Sequence, residues 1–305
     1  MNKLKFHLIN YKDILSSLNI VGGNLDEYLN GGRQDVLENF DIFCENVRSK
    51  NKKLKNFDLF ERVNVVTDDC VIVLGLYLEL LEFWGQRHRI YDVVKFYTEK
   101  YPNNKIVVQW NHDSDAADVF SFINDFNNLY VLNFNTSINH NRFIVLPFWA
   151  IDDELVIEEK TYLGNLVCSL NNGIRSTLKN LLLKNSNFYV SERISFEQYK
   201  RILSSSKFTF CPKGNGLSSY RFFESFHLNS IPVLIADNVI LPYVDKINYT
   251  DFIVRIKESD CNNLDYIINR LNSIEYEIML QKLNEVREMF TLKGVQEEVY
   301  NRLSL

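Results

Sequence analysis

"FTFCPKGNGLSSYRFFESFHLNSIPVLIAD", Phe208 to Asp237, places an apolar run, a glycine pair, an amphipathic run and a second apolar run in direct succession. By periodicity this is strand, glycine loop, helix, strand. "CPKGNG" closes the first strand, and "LSSYRFFESFHL" opens the helix without a spacer. Gly214 and Gly216 permit left-handed backbone and put no Cβ in the way of an approaching group. A helix N-terminus here offers unpaired N–H groups and the positive end of its dipole, with the hydroxyls of Ser218 and Ser219 alongside, so an anion is the natural guest. Arg221, in the first turn, can grip a phosphate through two N–H groups. Glu224 lies three residues further on, shares its face, and is placed to accept from ribose hydroxyls. Phosphate plus diol describes a nucleotide. The strand "IPVLIA" is apolar throughout, and Asp237 follows it at the carboxyl edge, where open α/β sheets bind ligands. On local features two plainer readings stay open: a glycine turn with no ligand, and an i, i+3 surface ion pair. The stretch is not a P-loop, because no Lys-Ser/Thr follows the second glycine, nor the dinucleotide fingerprint, which needs a third.

The same alternation extends both ways. Upstream, "VIVLGLY" (71–77), "KIVVQW" (105–110), "LYVLNF" (129–134) and "FIVLPF" (143–148) are short β-branched runs separated by helix-length segments or polar loops, the pattern of a parallel α/β sheet. A polar, acidic connector, "AIDDELVIEEK" (150–160), precedes a second round: "YLGNLVCSL", "GIRSTLKNLLLKN", "NFYV" and "SFEQYKRILSSS". In the last of these, Ser195 stands three residues before Gln198, a capping-box spacing. "KFTFC", "IPVLIA" and "DFIVRI" continue as strands, and only helices follow from Asn262. The expected organisation is a domain over residues 1–155, a second over 156–275, and helices over 276–305 packing back on them.

A 305-residue chain with 46% hydrophobic content has material for two domains. The net charge of −5 comes from 39 acids and 34 bases with no long block of either sign, which argues against a nucleic-acid-binding surface. The five cysteines are scattered and never spaced as CxxC, so a disulfide framework or structural zinc site is not expected, and reduced thiols in a cytoplasm fit best. "MNKLKFHLIN" alternates like a first strand and lacks the apolar core of a signal peptide. The expectation is a cytoplasmic chain, with room for peripheral contact with a membrane.

Candidates for acid–base work in the first half are His112 and Asp113, after the strand "KIVVQW", and Asp69 before "VIVLGLY". Asp113 is equally placed to cap a following helix. Asp113 and Asp115 also form an Asp-x-Asp pair of the kind that holds a divalent metal under a diphosphate. The remaining histidines read as structural. Trp84, Trp110 and Trp149 are core residues or stacking surfaces for sugars.

The segment "SSSKFTFCPKGNGLSSYRFFESFHLNSIPVLIADNVILPY" resembles the exostosin-type glycosyltransferases. Their pattern is met at Ser206, Lys207, Phe208, Cys211, Pro212, Gly214, Gly216, Ser219, Arg221, Glu224, Ile231, Pro232, Val233, Asp237, Leu241, Pro242 and Tyr243. "YLGNLVCSLNNGIRSTLKNLL" looks like the family's opening strand and helix, which implies that Gly164, Asn165 and Arg175 sit near the cleft. "INYTDFIVRIKESD" is similar to a later family motif, with Tyr249 in place of the usual Trp. Asn229-Ser230 stands where Gly-Cys is frequent. The resemblance implies a GT-B fold, two Rossmann-like domains facing each other across a cleft, with the nucleotide sugar on the second and the acceptor on the first. It implies an inverting, metal-independent transfer from a nucleotide-diphosphate sugar such as a UDP-sugar to a glycan, polysaccharide or glycolipid, with no cofactor. Donor contacts would come from Arg221, Glu224, Asp237, Gly214, Gly216, Ser218 and Ser219, with Lys213 and Arg175 as further candidates. The rival readings are a metal-dependent GT-A transferase using Asp113 and Asp115, and a non-catalytic nucleotide-sugar or glycan-binding module.

Overall fold

The computed structural model describes residues 3–20, 46–49, 52–55, 59–76, 78–148, 158–170 and 172–304. The chain divides into two compact units: Met1–Leu146 with Val295–Leu305, and Pro147–Gly294. The expected boundary at 155/156 falls within 149–157, outside the described residues, as does Trp149.

In the first unit, β1 (Leu4–Asn10) is followed by an antiparallel pair, β2 (Asn46–Ser49) and β3 (Lys52–Lys55). Next come β4 (Phe60–Arg62), β5 (Val71–Gly75), β6 (Ile106–Trp110), β7 (Leu129–Asn133) and β8 (Phe143–Val145). Apart from the β2–β3 pair, the strands form one parallel sheet in the order β4-β1-β5-β6-β7-β8. The helices α1 (Tyr11–Ser17), α2 (Glu79–Phe83), α3 (Arg89–Lys100) and α4 (Ala116–Val119) alternate with them. One sheet face, including Ile72, Leu74, Ile106, Val108, Leu129 and Val131, is buried against Val93, Val94 and Tyr97 of α3 and against Phe120. This is the period-2 and period-3.6 matching that the apolar runs called for.

The second unit holds β9 (Tyr162–Val167), α5 (Gly173–Leu182), β10 (Phe188–Ser191), α6 (Phe196–Ser204), β11 (Ser206–Pro212), α7 (Tyr220–His227), β12 (Ile231–Ile235), β13 (Val254–Arg255), α8 (Leu264–Asn272) and α9 (Tyr276–Val286). Its strands are all parallel, in the order β10-β9-β11-β12-β13. Both faces are covered: Phe208, Phe210, Ile231, Val233 and Ile235 pack with Leu178, Leu182 and Ile267, while Cys211 and Leu234 belong to a cluster with Phe222, Phe226 and Phe290. Two Rossmann-like α/β units are therefore present, as expected. In the second unit the strand order reverses between β9 and β11, so the crevice outside their carboxyl ends is the place where such a sheet takes a ligand.

The last helix, α10 (Leu292–Ser304), contributes Val295 onward to the first unit. There Lys105 Nζ donates to Leu303 O at 2.9 Å, and Arg302 Nη2 to Asn141 O at 3.3 Å. Among the described residues no helix is long and apolar enough to cross a membrane.

Candidate functional site

At the switch point of the second unit, the loops after β9 and β11 are joined by two side chains. Asn172 caps α5 by accepting from Arg175 N at 3.0 Å, and its Nδ2 donates to Lys213 O at 3.1 Å and Gly214 O at 3.2 Å. Arg175, only 7% exposed, donates Nε to Lys213 O at 3.0 Å and Nη1 to Ser169 O at 3.2 Å. Its guanidinium thus holds backbone carbonyls in place. Gly214 is needed for space: it does not take the left-handed backbone its sequence context suggested, but a Cβ there would lie 3.2 Å from Arg175 Nη2.

From this loop the chain enters α7, whose N-cap residue Ser219 makes no side-chain cap bond. The amides of the first turn are left without that partner, and the dipole end is uncapped by side chain. Phe222, Phe223 and Phe226 bury one face of α7 against a cluster that includes Phe252 and Phe290. Arg221 is half-buried, and its Nε and Nη1 are enclosed with no hydrogen-bond partner among the described residues. Its charge reaches the strand ends: burial pushes the thiols of Cys168 and Cys211 up, the latter to about 12, and Arg221 is the foremost influence opposing that rise at both. A cation with two unanswered donors thus stands by the carboxyl ends of β9 and β11.

Glu224, 3% exposed, accepts a hydrogen bond from the hydroxyl of Tyr199 on α6. Burial, and then the Glu224 charge, hold the Tyr199 phenol well above its usual range, so the proton stays on the phenol and the carboxylate is the acceptor. Sequence reading missed Tyr199 because the pair is 25 residues apart on different helices. It also assigned no role to Glu258, which takes Lys213 Nζ at 2.7 Å. Glu258 also accepts from Asp237 N at 3.2 Å, while Asp237 Oδ1 accepts from Glu258 N at 3.1 Å. Lys213 and Asp237 are therefore tied into one network at this edge. Gly164 and Asn165 have another task than the one expected. Both are buried within β9; a Cβ on Gly164 would meet the Phe210 ring at 3.1 Å, and Asn165 Nδ2 donates to Thr209 Oγ1 at 2.8 Å. Tyr249 is likewise a core residue, donating to Pro242 O at 2.7 Å.

The first-unit candidates separate. Asp69 precedes β5, at the amino edge of the sheet, where it meets Lys5 Nζ at 2.8 Å and Thr67 Oγ1 at 2.6 Å. The Lys5 hydrogen bond holds its carboxyl below the usual range. His112 and Asp113 follow β6, at the opposite, carboxyl edge. Nδ1 of His112 accepts from Ser114 N at 3.1 Å, with Ser114 Oγ 2.7 Å away. The proton of the neutral ring then sits on Nε2, which makes that nitrogen a donor and unfit as a base in this arrangement. The helix cap is Asp115, not Asp113: Asp115 Oδ1 accepts from Ala117 N at 2.9 Å and Ser137 N at 3.1 Å. Asp113 is left exposed. A further acid, Glu79, stands just after β5 at the same carboxyl edge. It is 6% exposed, accepts from the backbone N–H of Asn111, and keeps Oε2 buried without a partner. Burial pushes its pKa up to about 8. In sequence nothing about its place in "LELLEF" (78–83) marks it out, because its burial is set by packing.

Residues 159–271 match the family model for the Exostosin GT47 domain. A probable glycosyltransferase of Arabidopsis thaliana is 31% identical over 104 residues, which is 34% of this chain and 21% of that protein. An exostosin-1 homolog of Caenorhabditis elegans is 30% identical over 71 residues, 23% of this chain and 19% of that one. The matched region of the first three curated relatives is between 18% and 26% of their own length. Among solved structures, a glycosyltransferase from Rickettsia africae aligns over 99% of both chains at 9% identity and a TM-score of 0.45.

Proposed function

We propose, from the premise that residues 159–271 form an exostosin-type glycosyltransferase domain, that the chain transfers a sugar from a nucleoside-diphosphate donor to a hydroxyl of a glycan or glycoconjugate. The observation that carries the reading is Arg221, a guanidinium with buried, unanswered Nε and Nη1 at the start of α7 and beside the switch point of a parallel sheet. A diphosphate supplies what that group lacks: two acceptor oxygens in a plane and negative charge at a helix N-terminus. Glu224 and the loop hydroxyls of Ser218 and Ser219 complete the donor contacts.

In the inverting reaction the acceptor oxygen attacks the anomeric carbon, and the bond from that carbon to the diphosphate oxygen breaks. The electron pair leaves on the diphosphate, where Arg221 and the first amides of α7 meet the growing charge. The hydroxyl proton passes to a carboxylate, and we assign that role to Asp113, exposed at the carboxyl edge of the first unit's sheet. The transfer is proposed to proceed without a divalent cation. Supporting this, Asp115, the second acid of the Asp-x-Asp pair, is committed to two backbone amides.

Titration calorimetry with UDP, GDP and CMP in EDTA tests the reading on the wild type and on Arg221→Ala. Two charge-assisted hydrogen bonds at about 1.5–3 kcal/mol each predict at least a hundredfold loss in the variant, with an unchanged circular dichroism spectrum. Binding only with Mn²⁺ would move the reading to the metal-dependent alternative; binding without turnover would leave the non-catalytic module. An Arg221→Ala protein that binds as tightly as wild type would sink the assignment of the site.

A further inference from the structure

We propose that Tyr199 is a positioning residue of the anion site: its hydroxyl holds the Glu224 carboxylate off the Arg221 guanidinium and so keeps Nε and Nη1 open for a diphosphate. The inference rests on the donor-site reading above.

Arg221 and Glu224 are three residues apart on α7, a spacing at which opposite charges ordinarily pair. Both are withdrawn from water, where an unpaired guanidinium edge is costly and the drive to pair is strong. Yet Nε and Nη1 of Arg221 have no partner among the described residues, while Glu224 Oε2 is engaged by Tyr199. The competition is therefore decided from outside α7.

The helix that carries Tyr199 is fixed at both ends. At its start Ser195 Oγ accepts from Gln198 N at 3.2 Å, and Gln198 Oε1 accepts from Ser195 N at 3.2 Å, the reciprocal capping box. At its end, Lys160 Nζ donates to Ser204 O at 2.6 Å, and also to Ser206 O at 3.1 Å and Asn229 O at 2.6 Å. One ammonium thus joins the last turn of α6, the start of β11 and the turn after α7. The Tyr199 ring packs on Leu203 and Leu228 and stacks on Phe196. With its backbone and ring both held, the hydroxyl cannot follow Glu224 toward the arginine. The phenol keeps its proton, as its raised pKa requires, so a donor faces the Glu224 side chain. An arriving diphosphate then meets an Nε and Nη1 that carry no carboxylate among the described residues.

The test is Tyr199→Phe in the intact chain, read by the ¹⁵N side-chain resonance of Arg221 Nε–H, identified by its loss in Arg221→Lys, and by calorimetry with sodium pyrophosphate, which lacks a ribose. Removing the hydroxyl lets Glu224 pair with Arg221. The expected results are an Nε–H newly protected from solvent exchange, at least a tenfold loss in pyrophosphate affinity, and recovery in Tyr199→Phe/Glu224→Gln, where the amide cannot compete as an anion. An unchanged Nε–H signal together with wild-type pyrophosphate affinity in a folded Tyr199→Phe protein would overturn the proposal. If Tyr199→Phe does not fold, Glu224→Gln alone decides: wild-type or tighter pyrophosphate binding supports the competition, and weaker binding contradicts it. A wild type that binds no pyrophosphate counts against the donor-site reading, while the Nε–H signal still decides the role of Tyr199.

Discussion

A guanidinium with two enclosed, unanswered N–H groups is a cost the fold carries at Arg221 whenever no ligand is present. Arg221→Met should therefore unfold in urea at the same or a higher midpoint than wild type without nucleotide, yet gain nothing when UDP is added. Stability and binding would part at one residue, as they do at sites held ready for a ligand. Glu79 makes a second residue-scale prediction, with a definite sign. Its folded pKa of about 8 lies above the ordinary 4.5, so the unfolded chain releases this proton first as pH rises. The stability it permits is present below pH 4.5 and lost as pH rises through about 8, at about 1.4 kcal/mol per unit of displacement. Thermal melts of Glu79→Gln should match wild type near pH 4.5 and exceed it increasingly toward pH 8; parallel curves would refute the assignment. Asp113→Asn should lower turnover with little change in donor affinity. If turnover is unchanged, the proton passes elsewhere, and Glu79 is the next carboxyl at that edge. In sequence, Arg221 and Glu224 were legible because their spacing fell on one helix face. Tyr199 and Glu258 were not, because their partners come from other elements.

The element that presents the site is α7, and its limits are chemical. It starts at an uncapped Ser219 and ends where Asn229 takes a φ of 56°, with Ser230 N donating to Ser225 O at 3.1 Å. That is the left-handed turn at which helices often stop, and Asn is one of the few residues besides Gly that enters it readily. Asn229→Gly should be near neutral, while Asn229→Ala should cost about 1 kcal/mol, read from urea unfolding midpoints. The strands β5, β6, β7, β9, β11 and β12 were legible as apolar runs, since burial on both faces leaves no room for polar alternation. The three-residue β4 and the β2–β3 pair were not. Segments that short carry too few residues for a period to show.

At the scale of the molecule, the end of the chain belongs with its beginning. Val295–Leu305 joins the first unit, where Leu303 O and Arg302 meet Lys105 and Asn141. Removing residues 295–305 should therefore lower hydrogen-exchange protection in β6 and β7 while leaving β9, β11 and β12 at wild-type protection. Equal loss in both units would contradict that membership. By itself the sequence determined two α/β units, the strand–loop–helix that carries Arg221, and the family pattern over residues 159–271, because periodicity, glycine placement and fixed spacing are local and write themselves into the chain. Only the tertiary structure decided which polar groups were already taken. Arg175 is held by loop carbonyls, Lys213 and Asp237 are tied to Glu258, Asp115 caps a helix, Asp69 sits at the amino edge, and Arg221 alone of these six keeps buried donors unanswered among the described residues. Hydrogen bonding saturates by proximity in space, and residues far apart in the chain become neighbours only once strands and helices have packed.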